Sequence, residues 1–301
     1  MNIGSLTTEQ MNEKSSHIDN CSIPEILQII NEEDGRVHIA VQKEIGHISA
    51  AVEQIVKSFK AGGRLFYVGA GTSGRLGILD AAECPPTYST EPNMVQAIIA
   101  GGKDAVFSAV EGAEDDLQAG ADEIVRRGVN EHDTVVGIAA SGITSFVIGA
   151  IRQAKRLGAS TVGISCNPDS LLEKEVDFPI TPVVGPEVVT GSTRMKSGTA
   201  QKLVLNMLST CTMIKLGKVY GNLMVDVKPS NQKLINRCIR IVMKVCGVSD
   251  ADAQNALEKF GYNPKKAIIL LKTQSSPDQV EEALSKADGL VSGAIEYILK
   301  K

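Results

Sequence analysis

A glycine-rich turn with two hydroxyl side chains is the first part of this sequence that could do chemistry. Gly69, Gly71 and Gly74 form a G-x-G-x-x-G motif between an apolar segment and a helical one. Backbone amides at the N-terminus of a helix bind anions, so the motif predicts a phosphate site. Thr72 and Ser73 lie inside the turn and add hydroxyl groups, which suit a compact phosphate monoester.

The same motif occurs in dinucleotide-binding folds, which also need an acidic residue about 20 positions further on to hold the ribose hydroxyls. Here the next predicted strand, MVQAIIAGG, ends in Ala100, Gly101 and Gly102, and no carboxylate stands there. The sequence therefore favours a phosphate group over a dinucleotide.

A second polar turn follows the apolar segment DTVVGIAAS, and a helical segment comes directly after it. Ligands of open α/β sheets bind at the carboxyl edge, so two such turns after parallel strands can converge on one ligand. The alternative is that the hydroxyls of the second turn only cap its helix. The predicted phosphate-binding and substrate-binding residues are Gly71, Thr72, Ser73, Ser141, Gly142, Thr144 and Ser145.

Two carboxylates are candidates for proton transfer. Glu83 stands just before Pro85 and Pro86. Proline disfavours a helical conformation at the preceding residue, which predicts a helix end near Glu83 with a rigid exit. Glu114 lies in the acidic stretch AVEGAEDDLQAG at the start of another helix, where acids favour the positive end of the helix dipole. From the residues alone, a solvated helix start is the stronger interpretation of Glu114.

A third polar turn, GPEVVTGSTRMKSGTAQK, leads into a long helical segment. One interpretation is ordinary helix capping, and the other is that the turn closes a site. Its polar residues are Glu187, Ser192, Thr193, Arg194 and Lys196.

The segments around these turns predict an α/β fold with a doubly wound parallel sheet. Apolar residues recur at helical spacing from residue 22 to 60 and predict two helices there. From Gly62 to about Gly217, five short apolar segments alternate with helical ones, which is typical of a parallel sheet covered on both faces. The remainder reads as a small helical bundle without strands. The predicted domains are 1–60, 61–231 and 232–301.

Composition excludes several other classes of function. The formal net charge is −4, with 31 basic and 35 acidic residues, so no basic surface for nucleic acid is expected. The six cysteines and four histidines show no metal-ligand spacing, and we expect reduced cysteines and no metal. No signal peptide and no apolar run of about 20 residues is present, which predicts a cytoplasmic protein with no membrane partner.

These motifs together resemble the N-acetylmuramic acid 6-phosphate etherase family, whose members carry a sugar isomerase (SIS) domain. The resemblance rests on VGAGTSGRLGILDAAECPPTY, AVEGAEDDLQAG, NEEDGRVHIAVQKEI and the long stretch from PEVVTGSTRMKSG to DVKPSN. It covers about Leu6 to Asn231, and the C-terminal part more loosely. The chain departs from the family pattern at Met11 and Ile143, where the family usually has arginine.

The resemblance implies cleavage of the D-lactyl ether of N-acetylmuramic acid 6-phosphate in cell-wall amino sugar recycling, without a cofactor. It places the two catalytic acids at Glu83 and Glu114, and it implies a homodimer whose sites lie near the subunit boundary. One carboxyl must stay protonated, which predicts an apolar or like-charged setting.

Two other functions remain open at this point. One is a sugar-phosphate isomerase or deaminase that uses the same turns, and the other is a non-catalytic sugar-phosphate sensor like the related glucokinase regulatory protein. The C-terminal helices from Lys233 to Lys301 also resemble a three-helix ubiquitin-associated fold, which we interpret as a packing or dimer element.

Overall fold

The chain divides into two compact units. A computed structural model describes residue 4, residues 6–227, residue 229 and residues 231–301. The first unit is Met1–Ala82 with Pro92–Ser209, and the second is Glu83–Glu91 with Thr210–Lys301. The division into domains 1–60, 61–231 and 232–301 stays a prediction.

The first unit is built on a five-stranded parallel sheet. The strands are β1 Leu65–Gly69, β2 Val95–Ile99, β3 Thr134–Ile138, β4 Ser160–Ile164 and β5 Phe178–Ile180. Their order in the sheet is β2-β1-β3-β4-β5, so the first strand lies inside the sheet, and all neighbouring strands run parallel. All five strands predicted from the apolar segments are confirmed.

Eight α-helices begin in the described part of the first unit. They are α1 Ile23–Asp34, α2 Val37–Lys43, α3 Ile45–Lys60, α4 Gly71–Tyr88, α5 Leu117–Arg126, α6 Ser145–Arg156, α7 Leu171–Glu175 and α8 Lys196–Lys215.

These helices cover both faces of the sheet. Successive side chains of a strand point to opposite faces, so two neighbouring residues of β1 show what lies on each face. Val68 of β1 is buried in one cluster with Val147 of α6. The next residue back, Tyr67, points the other way, and its hydroxyl donates to Asp80 of α4 at 2.9 Å. The doubly wound α/β prediction is therefore confirmed.

The N-terminal region holds three α-helices, and the prediction of two was wrong. The second break falls at Glu44, whose backbone leaves the helical conformation. Its side chain accepts a hydrogen bond from the backbone amide of Thr181, at 2.9 Å. Because this partner lies 137 residues away in the sequence, apolar spacing alone gives no sign of the break.

Helix α4 continues past Glu83, so the predicted helix end there was also wrong. Pro85 and Pro86 lie inside the helix, which ends at Tyr88, and the next residue, Ser89, has a φ of 51°. The residue just before the prolines, Cys84, is 2% exposed. Packing around Cys84 therefore outweighs the preference of the pre-proline residue for extended backbone.

The second unit has its own helical core. Its helices are α9 Gln232–Cys246, α10 Asp250–Glu258, α11 Pro264–Thr273, α12 Pro277–Lys286 and α13 Val291–Leu299. Residues 231–301, all of them described, form five helices rather than the three of a ubiquitin-associated fold. A short antiparallel hairpin, β6 Val219–Tyr220 with β7 Leu223–Met224, also precedes them, where no strand was predicted.

Candidate functional site

The two hydroxyl-bearing turns leave adjacent strands at the same edge of the sheet. The last residue of β1, Gly69, pairs with Ile138, the last residue of β3. Neighbouring strands lie about 4.8 Å apart, so the turns begin side by side. The expected convergence of the two turns at the carboxyl edge is therefore confirmed, whereas phosphate binding by their residues stays a prediction.

The first turn, residues 69–74, is tight because its glycines touch. A β-carbon on Gly69 would lie 2.6 Å from the backbone nitrogen of Gly74. A β-carbon on Gly74 would in turn lie 2.6 Å from the side chain of Ile99. The G-x-G-x-x-G spacing thus brings the N-terminus of α4 directly onto the end of β1, which leaves the first amides of the helix at the sheet edge.

Ser73 of the first turn is held by helix α8. Its side chain is 8% exposed, and its hydroxyl donates to Gln201 Oε1 at 2.8 Å. A β-carbon on Gly198, one turn earlier in α8, would be 3.4 Å from the methyl group of Thr72. Helix α8 therefore packs against the first turn at both of its hydroxyl residues, Thr72 and Ser73.

The second turn, residues 139–145, has a different geometry. Gly142 has a φ of +72°, and a β-carbon there would lie 2.4 Å from Ser170 Cβ. Ser141 Oγ accepts a long hydrogen bond, 3.4 Å, from the amide of Ile143. Thr144 is the N-cap of α6, but its side chain makes no capping hydrogen bond. Capping alone therefore does not explain the hydroxyl of Thr144.

The N-terminal segment holds the second turn through Asn167, which follows β4. Asn167 Nδ2 donates to the carbonyls of Ala140 and Ser141 and to Thr8 Oγ1, at 3.1, 3.4 and 3.0 Å. The backbone amide of Thr8 donates back to Asn167 Oδ1 at 3.3 Å. Met11, the departure from the family motif in this segment, is 73% exposed.

Glu114 lies beside the second turn. Its backbone carbonyl accepts from the amide of Phe146, in the first turn of α6, at 3.0 Å. The acidic stretch does start a helix as predicted, because Asp116 caps α5 by accepting from the amide of Ala119 at 2.9 Å. The Glu114 side chain is exposed. That one of the two carboxyls lies in an apolar or like-charged setting stays a prediction.

Glu83 belongs to the second unit and is also exposed. One turn earlier on α4, in the first unit, Asp80 is a buried carboxylate that sequence reasoning missed. It accepts from Tyr67, Asn206 and Ser209 at 2.9, 2.7 and 3.0 Å. Burial raises the pKa of Asp80 above its usual value, against the lowering effect of these hydrogen bonds.

Two residues of the third polar turn, Glu187 and Lys196, belong to a buried network. Glu187 accepts from the amides of Lys196 and Ser197, each at 2.9 Å, and so caps α8. Lys196 Nζ donates to Glu33 Oε2 at 2.6 Å, and both side chains are buried. Of the two interpretations for this turn, capping accounts for Glu187, and Lys196 serves an internal ion pair.

Gln201 was also missed in the sequence. It stands on the buried face of α8 among Val204, Leu205 and Leu208. A polar residue at helical spacing among buried apolar ones is the signal that marks it. Its partner Ser73 is 128 residues away, and the sequence gives no sign of that pairing.

The described residues contain no group of three or more His, Cys, Asp or Glu side chains that could hold a metal ion. No helix among them is long and apolar enough to span a membrane. All six cysteines are free, and burial raises the pKa of the Cys166 thiol to about 12.

Three family profiles match parts of the chain. Residues 47–155 match the N-terminal SIS domain of glucokinase regulatory protein, and residues 106–210 match the SIS domain. Residues 221–295 match the C-terminal lid domain of glucokinase regulatory protein.

Several relatives match this chain over nearly its whole length. An N-acetylmuramic acid 6-phosphate etherase of Clostridium acetobutylicum is 53% identical, over 97% of this chain and 96% of that protein. One from Clostridium beijerinckii is 50% identical over 100% and 99%. N-acetylmuramic acid 6-phosphate etherase 2 of Lactiplantibacillus plantarum is 52% identical over 98% and 100%.

Solved structures agree on the fold. A phosphoheptose isomerase from Neisseria gonorrhoeae has a TM-score of 0.50 and 17% identity, and it covers 64% of this chain and 98% of its own. At this identity the likeness shows the fold of the sheet region alone, which is of SIS type.

Proposed function

Because the chain belongs to the N-acetylmuramic acid 6-phosphate etherase family, we propose that it is the carbon–oxygen lyase which cleaves the D-lactyl ether of that sugar phosphate. The single observation that carries this conclusion is the identity of 50–53% over at least 97% of the chain. The products are N-acetylglucosamine 6-phosphate and D-lactate, so the enzyme serves the recycling of cell-wall amino sugars.

The reaction is an elimination followed by addition of water. With the sugar ring open, the proton at C2 lies next to the aldehyde, and a base removes it. The C3–oxygen bond then breaks, and the ether oxygen takes up a proton and leaves as the hydroxyl of lactate. Water adds across the new double bond, with its hydroxyl at C3 and a proton at C2. These steps need a general base and a general acid.

The 6-phosphate binds between the two turns. Support comes from the register of β1 and β3, which starts both turns side by side, and from the helix N-termini that follow them. The half-buried Thr144 hydroxyl, which makes no capping bond, is available as a donor. The binding residues are Gly71, Thr72, Ser73, Ser141, Gly142, Thr144 and Ser145.

Glu83 donates the proton to the departing ether oxygen, and Glu114 transfers protons at C2 or in the addition of water. The support for Glu114 is its backbone bond to the start of α6, directly after the second turn. For Glu83, the support is its position on α4, the helix that begins at the first turn.

Solvent exchange separates the two roles. In D2O, the Glu83→Gln variant is expected to release lactate about a hundred to ten thousand times more slowly than the parent but still to exchange the C2 proton of the substrate, followed by NMR. The Glu114→Gln variant is expected to lose lactate release if Glu114 acts at C2, and to release lactate but accumulate the unsaturated aldehyde if it acts in the addition of water. Glu111→Gln, in the same exposed stretch, serves as control. Normal lactate release by both Glu83→Gln and Glu114→Gln would overturn the assignment.

The two other functions give different results in the same experiment. A sugar-phosphate isomerase would exchange the C2 proton and release no lactate even in the parent protein. A sensor would bind the sugar phosphate without exchange or release. The full-length identity to etherases favours neither of them.

The enzyme acts in the cytoplasm as a homodimer. Its six free cysteines support a reducing compartment, which cell fractionation tests. Phe107 is 93% exposed in the segment before Glu114, and such an apolar side chain fits a protein interface. Light scattering should give the mass of a dimer for the parent and of a monomer for Phe107→Asp, and a monomeric parent would contradict the proposal.

A further inference from the structure

One side chain beside the first turn has unused hydrogen-bonding capacity. Gln201 is 1% exposed, and its Oε1 accepts the hydroxyl proton of Ser73. Its Nε2 is buried and has no hydrogen-bond partner among the described residues. A buried amide nitrogen without an acceptor is destabilising, and such groups are rare in folded proteins. The nitrogen would gain an acceptor, Ser73 Oγ, if the amide of Gln201 were turned over.

The direction of this hydrogen bond conflicts with phosphate binding. A serine hydroxyl has one proton, and the oxygens of a phosphate dianion accept hydrogen bonds but do not donate them. As long as Ser73 donates its proton to Gln201 Oε1, it has none to give to a phosphate. A phosphate at the first turn can bond to Ser73 only if the hydrogen bond with Gln201 is released or reversed.

We propose that Gln201 positions the Ser73 hydroxyl, and that binding of a sugar phosphate reverses the hydrogen bond between them. The amide of Gln201 then donates from Nε2 to Ser73 Oγ, and the hydroxyl of Ser73 donates its proton to a phosphate oxygen. This inference rests on the phosphate role proposed above for the first turn.

The surroundings permit this reversal without movement of the helix. The neighbours of Gln201 on α8, Ala200, Val204 and Leu205, are buried and fix the backbone. Exchange of Oε1 and Nε2 needs only a half-turn about the terminal bond of the side chain, whose torsion is broad and roughly two-fold. Gln201 thus acts through Ser73, and it is a positioning residue.

A double-mutant cycle with Gln201→Met and Ser73→Ala tests the proposal. Binding of N-acetylglucosamine 6-phosphate is measured by calorimetry for the parent, both single variants and the double variant. We expect Gln201→Met to weaken binding about tenfold, because a lost hydrogen bond near a charged group has that size. In the Ser73→Ala background, the same change is expected to weaken binding no further, because the two residues act as one unit.

Several results would overturn the proposal. One is that Gln201→Met lowers the affinity equally in the parent and in the Ser73→Ala variant, which would show a direct or purely structural effect of Gln201. Another is unchanged affinity in Gln201→Met. Unphosphorylated N-acetylglucosamine is the control ligand, because general damage to the fold would weaken its binding too.

Gln201→Glu supplies a second, independent variant. A carboxylate can still accept the proton of Ser73 but cannot donate back, so binding of the phosphorylated sugar should weaken at least as much as in Gln201→Met. Affinity equal to that of the parent would contradict the reversal. If Ser73→Ala left the affinity for the sugar phosphate unchanged, the proposed phosphate role of the first turn would fail. If instead the effects of Gln201→Met and Ser73→Ala simply added up in the double variant, only the coupling between the two residues would fail.

Discussion

The two turns at the sheet edge have the same plan but are held in place differently. Each follows a central strand, carries serine and threonine, and starts a helix. In the first turn the hydroxyl of Ser73 is buried and bonded to Gln201. In the second turn the hydroxyls of Thr144 and Ser145 are half-buried, and Thr144 makes no capping bond.

The difference lies in which part of the protein fixes each turn. Helix α8 holds the first turn through a side chain, Ser73. Asn167 holds the second turn through the backbone carbonyls of Ala140 and Ser141, which leaves its hydroxyls for other partners. The protein itself therefore fixes a hydroxyl of the first turn, whereas the hydroxyls of the second turn are open to a ligand.

The largest contrast is expected from one substitution placed in both turns. Gly71 and Gly142 both have positive φ, which costs an alanine about 1 kcal/mol. A β-carbon at Gly142 also collides with Ser170, whereas at Gly71 nothing lies within 4 Å. Gly142→Ala should lower the free energy of unfolding by about 3 kcal/mol and Gly71→Ala by about 1 kcal/mol, measured by urea denaturation. Equal losses would show that Ser170 does not restrict the second turn.

The second-largest effect is expected from replacing Asn167, whose side chain binds the backbone carbonyls of the second turn. Asn167→Leu leaves the carbonyls of Ala140 and Ser141 without their donor and should cost about 2 kcal/mol of stability. It should also raise the KM for the sugar phosphate, because the second turn loses its position. Asn167→Asp keeps an acceptor for the Thr8 amide but puts a buried carboxylate oxygen against the two carbonyls, so it should cost at least as much as Asn167→Leu. An unchanged KM in Asn167→Leu would show that the hydrogen bonds of Asn167 do not affect binding of the sugar phosphate.

Deletion of one hydroxyl from each turn tests the contrast directly. Ser73→Ala and Thr144→Val should each weaken binding of N-acetylglucosamine 6-phosphate about tenfold. Only Ser73→Ala should also lower stability, by about 1 kcal/mol, because it leaves the Gln201 amide without a partner. Calorimetry and urea denaturation of the same samples measure both quantities. A loss of stability in Thr144→Val would mean that its hydroxyl is held by the protein after all.

The smallest effect concerns pH and the helix of the first turn. The pKa of Asp80 is raised by burial, so the folded chain binds its proton more tightly than the unfolded chain. Its contribution to stability is present below the ordinary value of 3.8 and is lost as the pH rises through the folded pKa. The stability of Asp80→Asn relative to the parent should therefore increase from about pH 4 to about pH 7. The exposed Asp115→Asn is the control, and a parallel pH profile for Asp80→Asn would contradict the raised pKa.

Much of the fold could be predicted because the apolar segments are local signals. Each strand is a short apolar segment, and the turns that follow β1 and β3 are marked by Gly with Ser or Thr, as at Gly69 and Ser141. The convergence of the turns then follows from the rule that parallel strands end at one edge.

The remainder depends on long-range packing that no local pattern contains. Burial of Cys84 carries α4 through its prolines, although the local preference predicts a helix end. The bond from Thr181 to Glu44 and the bond from Ser73 to Gln201 each join residues more than a hundred positions apart. These contacts decide where helices break and which hydroxyls are free.

Lactate release from N-acetylmuramic acid 6-phosphate, without added metal or nicotinamide, tests the central claim most directly. The parent protein and the control Glu91→Gln, an exposed glutamate after the same helix, should release lactate. Glu83→Gln should be slower by a factor of about a hundred to ten thousand, the usual contribution of a general acid. Tight binding of the sugar phosphate with no lactate from the parent would contradict the etherase and favour a sensor.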